Sequence, residues 1–92
     1  MGKYHAHKAF IGADGVSLAH GLSSFDRNES DITRKMAEQA DEVFLVCDSS
    51  KVEKDSYHSF TPLSIVDNLI TDKGIERKLV QKYKKKIRVF TN

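Results

Sequence analysis

The 92-residue sequence contains one cysteine, one proline and no tryptophan. A single cysteine excludes a disulfide within the chain, which suits a reducing compartment and favours a cytoplasmic protein. The longest apolar run falls well short of the ~20 residues of a membrane-spanning helix, and the start of the chain lacks the apolar centre of a secretory leader. The net charge of +2 is too small to indicate nucleic-acid binding by itself. A length of 92 residues predicts one small domain, or part of a larger one.

Four short apolar segments predict β-strands, and turn-forming or polar residues bound each of them. The segments are 9–13, 43–47, 65–70 and 87–90. The segment Val43–Cys47 contains no polar residue, so it is predicted to be buried on both faces of a sheet. The polar stretches 14–30 and 51–64 are predicted to be loops.

Two further segments have the periodicity of amphipathic helices. The first begins at a cap within 28–30 and places Ile32, Met36 and Ala40 on one stripe. The second covers 74–85, and its stripe consists of Ile75, Leu79 and Tyr83. Strands that alternate with helices predict an α/β domain with a mainly parallel sheet and flanking helices. The side chains predicted to be buried are Ile11, Val43, Leu45, Val46, Leu69, Ile75 and Leu79.

An aspartate follows three of the four predicted strands: Asp14, Asp48 and Asp72. In open α/β sheets, ligands bind at the carboxyl ends of the strands. Aspartate is also favoured in turns and helix caps, so two interpretations stay open. For Asp72, which lies just before a helix, capping is favoured, whereas for Asp14 a turn and a binding site are equally supported.

The segment CDSSK, residues 47–51, is the most informative of the three. Lys51 and the hydroxyls of Ser49 and Ser50 offer a cation and hydrogen-bond donors, which suit an anionic, oxygen-rich ligand. Asp48 could accept from sugar hydroxyls or hold Lys51 in place. The segment therefore predicts a site for a small polyol with an anionic group.

Other candidate sites are weaker. Segment 20–24, HGLSS, precedes a helix and could bind phosphate through its N–H groups, although its spacing favours a flexible surface loop. Cys47 lies within an apolar run and is predicted to be an ordinary core thiol. His20 and His58 have no partners at metal-ligand spacing, so no metal site and no cofactor are predicted.

The segments KAFIGADGVS, GLSSFDRNES, VFLVCDSSK and VDNLITD, in this order, resemble the C-terminal effector domain of DeoR-type bacterial transcriptional repressors. The resemblance extends from about Lys8 to Gly74. It implies a fold related to the ribose-5-phosphate isomerase and CoA-transferase-like fold, of which residues 1–92 would be a truncated, single effector-binding domain. It also implies a winged helix-turn-helix domain, absent from this chain, that binds operator DNA.

The resemblance further implies which residues bind the effector. They are Asp14, Gly15, Gly21, Leu22, Ser23, Glu29, Asp48, Ser50, Lys51 and Asp72. Thr33 departs from the family pattern, because the family usually has lysine there. The phosphate loop of the family belongs to an earlier strand–helix unit, so the expected pocket is incomplete.

The favoured function is a sugar-phosphate sensor within a repressor of carbohydrate-metabolism genes. The alternative is a fragment of a sugar-phosphate isomerase. The related isomerases have acids where this chain has Ile11 and Thr33, so binding without turnover is favoured and no catalytic residue is predicted. The expected partners are a phosphorylated sugar and, because an incomplete domain exposes surface, further copies of the chain in a homo-oligomer.

Overall fold

The computed structural model describes residues 6–92 of the chain. Its elements are β1 (Ala6–Ile11), β2 (Gly15–Ser17), β3 (Gly21–Ser24), α1 (Arg27–Glu38), β4 (Ala40–Val46), β5 (His58–Thr61), β6 (Asn68–Thr71), α2 (Arg77–Lys84) and β7 (Arg88–Thr91). Two short 3₁₀ turns lie at Ser49–Lys51 and Leu63–Ile65. Within the described part of the chain, no helix has the length and apolar character needed to cross a membrane.

The main sheet has four parallel strands in the order β1-β4-β6-β7. These strands correspond to the four predicted apolar segments, so the predicted α/β class is confirmed. Each new strand is added on the same side of the previous one. Right-handed crossovers, which parallel strands adopt almost without exception, then place every connection on the same face of the sheet.

A second sheet is antiparallel, with the order β2-β3-β5. Its strands lie in stretches predicted to be loops, so that prediction was wrong. The error has a physical reason: these strands bury serine hydroxyls that find partners inside the fold. The Ser17 hydroxyl donates to Asp55 at 2.9 Å, and the Ser23 hydroxyl accepts from the backbone N–H of Ser56 at 2.7 Å.

The core lies between the two sheets and the helices. It contains five of the seven side chains predicted to be buried, namely Ile11, Val43, Leu45, Leu69 and Ile75. Leu79 is half-buried and packs against this core. The prediction for Val46 was wrong, because its side chain points to the opposite face of the sheet and is 46% exposed.

Helix α1 differs from its prediction at both its start and its buried face. Asp26 is the N-cap, two residues before the predicted cap, and its carboxylate accepts from the N–H groups of Asn28 and Glu29. The predicted buried stripe of Ile32, Met36 and Ala40 was wrong too. Ile32 and Met36 are exposed, Ala40 lies in β4, and the helix packs through Ser30 and Ala37. Small residues on the buried face allow the helix backbone to approach the core closely.

Helix α2 is shorter than the predicted segment 74–85: it contains Leu79, which is half-buried, and Tyr83 of the predicted stripe, whereas the buried Ile75 lies before it. Tyr83 is fully buried, and its hydroxyl donates to the backbone carbonyl of Val16 at 3.4 Å and to the Glu53 carboxylate at 2.5 Å. Burial, together with the nearby Glu53 carboxylate, raises the pKa of Tyr83 well above its usual value. Glu53 itself has a positive φ of 61°, and its N–H donates to the Val16 carbonyl at 2.6 Å.

We expect Tyr83→Phe to lower the free energy of unfolding by about 1–2 kcal/mol, because a buried hydroxyl loses hydrogen bonds to a carbonyl and a carboxylate. Urea denaturation followed by circular dichroism measures this loss. Tyr57→Phe is the matched control, because Tyr57 is 84% exposed. An unfolding free energy for Tyr83→Phe equal to that of the control would contradict this assignment.

Candidate functional site

The carboxyl ends of β1, β4 and β6 lie side by side. Ile11 is in register with Leu45, and Val46 with Ile70. The segments that follow these strands, 12–14, 47–51 and 71–74, are therefore neighbours along one edge of the sheet. Asp14, Asp48 and Asp72 lie on this edge together, as the sequence predicted.

Asp14 lines a cavity of about 360 Å³ between the end of β1 and the start of α1. Its carboxylate accepts from the Ser24 hydroxyl at 3.1 Å and from the N–H of Phe25 at 2.9 Å. Glu29, also predicted as a site residue, lines the same cavity. The remaining lining residues are Gly12, Ala13, Ser24, Ser30, Ile32, Thr33 and Phe60.

Several lining residues were missed by the sequence analysis. Phe60 could not be placed, because β5 was predicted to be a loop. Ser30 is buried, and its hydroxyl donates to the Asp26 carbonyl at 2.8 Å and lies 3.2 Å from Nε2 of His58. The sequence does contain one signal for Thr33 as a lining residue: Glu29 and Thr33 are four residues apart on a helix and so share a face.

The CDSSK segment leaves β4 and forms a 3₁₀ turn over Ser49–Lys51. Asp48 accepts a short hydrogen bond from the Ser50 hydroxyl. Asp48 does not hold Lys51, one of the two roles proposed for it. Lys51 is half-buried, and its ammonium forms no hydrogen bond or ion pair with any residue between 6 and 92. The turn therefore presents a cation next to a serine hydroxyl.

Asp72 connects two neighbouring strand ends. Its carboxylate accepts from the N–H of Ser49 at 3.0 Å and from the N–H of Gly74 at 2.8 Å. The hydrogen bonds from Ser49, followed by the one from Gly74, lower the pKa of Asp72. The favoured capping role was wrong, because the N-cap of α2 is Glu76 and the helix begins at Arg77. Asp72 instead positions the CDSSK turn.

Cys47 begins the CDSSK segment, and its side chain is half-buried. Burial, and then the negative charges of Asp48 and Asp72, raise the pKa of its thiol from 9.0 to about 11. The thiol is therefore protonated at neutral pH. This agrees with the prediction that Cys47 is a core residue and not a nucleophile.

The other predicted site residues belong to the interior of the fold. A Cβ atom on Gly15 would lie 2.4 Å from the carbonyl of Lys54, and Gly21 has φ +78° and lies against β5. Leu22 is fully buried, and the Ser23 hydroxyl is used by Ser56. Their role in effector binding stays a prediction, and all four residues are buried within strands β2 and β3 of the antiparallel sheet.

The predicted residues thus form two groups on one edge. Asp14 and Glu29 lie in the cavity, whereas Asp48, Ser50 and Lys51 belong to the CDSSK turn and Asp72 is bonded to it. Gly21 lines a separate cavity of about 500 Å³, together with His20 and Lys86. Among residues 6–92, no three histidine, cysteine or acidic side chains are close enough to hold a metal ion.

A sheet with polar loops at its carboxyl edge defines a class of ligand-binding α/β domains. The family model described as the DeoR C-terminal sensor domain matches residues 1–73 of this chain. The chain therefore belongs to the DeoR C-terminal sensor domain family. The match ends next to Gly74, where the resemblance based on the sequence motifs ends.

Two curated relatives are named transcriptional regulators. The repressor GlcR of Bacillus subtilis is 36% identical over 73 residues, which cover 79% of this chain and 28% of the relative. The regulator IolR of the same organism is 32% identical over 81 residues, 88% of this chain and 32% of the relative. The chain thus spans only about a third of the length of these relatives.

We expect alkylation of Cys47 by iodoacetamide to be slow at neutral pH and to accelerate toward pH 11, where the thiol loses its proton. The same pKa shift makes the stability of the fold depend on pH. A raised acid pKa stabilises the fold below pH 9.0, and this contribution is lost as the pH rises from 9.0 to about 11.

The urea-unfolded chain is the control for this measurement, because its thiol should have the ordinary pKa of 9.0. Equal alkylation profiles for the folded and unfolded chain would show that Cys47 is not shielded from water.

Proposed function

We propose that this domain binds a phosphorylated sugar at the carboxyl edge of the parallel sheet, and that binding controls a DeoR-type repressor of carbohydrate-metabolism genes. The observation that carries the proposal is Lys51. Its half-buried ammonium has no protein partner within residues 6–92, although it lies on an edge rich in carboxylates. An anionic group of a ligand would supply the missing counter-charge.

The two groups of residues suit the two halves of such a ligand. Lys51 and the Ser50 hydroxyl provide donors for a phosphate, whereas Asp14 and Glu29 provide acceptors for sugar hydroxyls. The Thr71 hydroxyl is buried at the end of β6 and has no hydrogen-bond partner among the described residues. The cavity beside Asp14 is within the size range of small-molecule sites, ~300–1,000 Å³.

Effector binding would act on DNA through a domain outside these 92 residues. Two of the relatives are described as a regulator of the helix-turn-helix type and a repressor of that type. We propose that the complete regulator is a cytoplasmic homo-oligomer with such a domain, that it needs no cofactor, and that the sugar phosphate binds one of its arrangements better than another. Only this difference in affinity can shift the population toward or away from the DNA-binding arrangement.

The alternative is an isomerase, and the site offers it less support. Sugar isomerisation requires a base placed at the carbon that loses a proton. Ile11 occupies one of the two expected acid positions and is buried in the core. Thr33 occupies the other and lines the cavity with an uncharged side chain. We therefore propose that the domain binds its ligand without converting it.

We expect Lys51→Ala to weaken sugar-phosphate binding roughly 10- to 150-fold, because a charged hydrogen bond contributes ~1.5–3 kcal/mol. Isothermal titration calorimetry of the full-length regulator, which would contain the phosphate loop that the resemblance implies, with a panel of sugar phosphates and with inorganic phosphate measures this. Lys54→Ala is the matched control, since Lys54 is exposed and three residues further along. If no sugar phosphate binds, or if Lys51→Ala binds like the parent, the proposed site is wrong.

We also expect no interconversion of ribose 5-phosphate above background, because carboxylates are absent at positions 11 and 33. A coupled assay for the ketose product tests this at high protein concentration. Turnover that disappears in Asp14→Ala would contradict a pure sensor, since Asp14 would then act as the base.

A further inference from the structure

A cavity of about 500 Å³ lies at the amino-terminal edge of the parallel sheet, opposite the proposed effector site. Val66 and Ile87 line it, and they lie just before β6 and β7. Asp72 follows the carboxyl end of β6, so the length of that strand, roughly 13 Å, separates the cavity from the edge that carries the CDSSK turn. We refer to it as the hairpin cavity, because residues 18–20, the turn between β2 and β3, form one wall.

The walls of the hairpin cavity are mainly apolar. Leu63, Val66 and Ile87 are buried members of the core, so the cavity reaches the core itself. The volume is within the range of small-molecule sites, ~300–1,000 Å³, and such sites combine apolar walls with a few polar groups. The apolar lining residues are Leu18, Ala19, Pro62, Leu63, Val66 and Ile87.

Three polar side chains line the same cavity, namely His20, Ser64 and Lys86. The Ser64 hydroxyl and the Lys86 ammonium form no hydrogen bond or ion pair with any residue between 6 and 92. Both side chains are exposed, so they lie at the mouth of the cavity and not at its apolar end. The mouth therefore offers a cation and a hydroxyl that the described fold does not use.

His20 is held in place by the fold. Its Nδ1 lies 3.1 Å from the Asp55 carboxylate, and its backbone N–H donates to the Ser17 hydroxyl at 3.0 Å. The Ser17 hydroxyl in turn donates to Asp55 at 2.9 Å. Because an ionised carboxylate can only accept, Nδ1 carries a proton and Nε2 is left without a partner among the described residues. The cavity thus has one imidazole nitrogen positioned in its wall before any ligand binds.

The charges around the hairpin cavity favour an anion. The carboxylates of Asp55 and Asp67 already accept hydrogen bonds inside the fold. A groove of about 420 Å³ continues from the cavity, and three lysines line it that have no ion-pair partner among residues 6–92. These are Lys84, Lys85 and Lys86. An anionic group at the mouth therefore gains counter-charges that the protein does not supply.

We propose that the hairpin cavity is a second ligand site, which binds a small organic acid with an apolar body. The apolar body lies against Leu63, Val66 and Ile87, and the carboxylate at the mouth accepts from Lys86 and Ser64. A sugar does not suit these walls, because its hydroxyls would lose water there without gaining partners. The site therefore selects a different chemical class from the edge around Lys51, and the proposal does not depend on sugar binding.

Saturation-transfer NMR of the full-length regulator with phenylacetate and with hexanoate tests the proposal. We expect both acids to bind, and phenylacetamide to bind phenylacetate's site roughly tenfold more weakly or worse, because the neutral amide loses a charged hydrogen bond. Lys86→Gln should weaken phenylacetate binding by a similar factor. Lys82→Gln is the matched control, since Lys82 is an exposed lysine of α2 that lines neither the cavity nor the groove.

A blocking variant gives a second test that leaves the charges unchanged. Ala19 is exposed in the hairpin turn, so Ala19→Phe adds a ring at the cavity wall without altering the core, and it should abolish saturation transfer to phenylacetate. Excess glucose 6-phosphate should leave phenylacetate bound. Displacement by glucose 6-phosphate would assign the acid to the effector edge and overturn the proposal. Absence of binding by both acids, equal binding of phenylacetamide, or a Lys86→Gln variant that binds like the parent would overturn it as well.

Discussion

Parallel pairing of β1, β4 and β6 is the constraint on which the remaining structure depends. Because adjacent parallel strands end at the same edge, the pairing places the segments after three strands beside one another. The same pairing forces each connection across one face, which concentrates the core there. The polar edge and the concentration of the core on one face of the sheet therefore have a single origin.

The site separates residues that contact solvent from residues that build the scaffold. The Asp72 carboxylate accepts from the N–H groups of Ser49 and Gly74 and so holds the backbone of the CDSSK turn. Gly15 and Gly21 permit close approach of backbones within the antiparallel sheet. Lys51 differs from all of these, because its charge is not used within the described fold. The proposed effector contacts are thus a small number of side chains supported by many.

Much of the parallel sheet could be predicted, because apolar runs such as Val43–Leu45 are unambiguous signals. The antiparallel sheet could not, since strands like Gly21–Ser24 are polar in sequence and become strands only when their hydroxyls find long-range partners, as the Ser23 hydroxyl does by accepting from the N–H of Ser56. The buried face of helix α1 was predicted wrongly for a related reason: its large apolar side chains, Ile32 and Met36, face outward, and Ser30 is buried. The strand ends of the candidate site were predictable from chain order, whereas the contribution of Phe60 required knowledge of the pairing.

Glu53 gives the Lys51 turn a property that matters before any ligand arrives. Two residues after Lys51, the chain adopts a left-handed conformation that non-glycine residues rarely occupy. Bonds from Tyr83 and from the N–H of Leu18 hold the Glu53 carboxylate, and the Glu53 N–H is bound to Val16. The turn is therefore anchored at one end by Glu53 and at the other by Asp72. If an anion binds the ammonium as proposed, the backbone of the turn has little conformational entropy left to lose, so a larger share of the attraction is available as affinity.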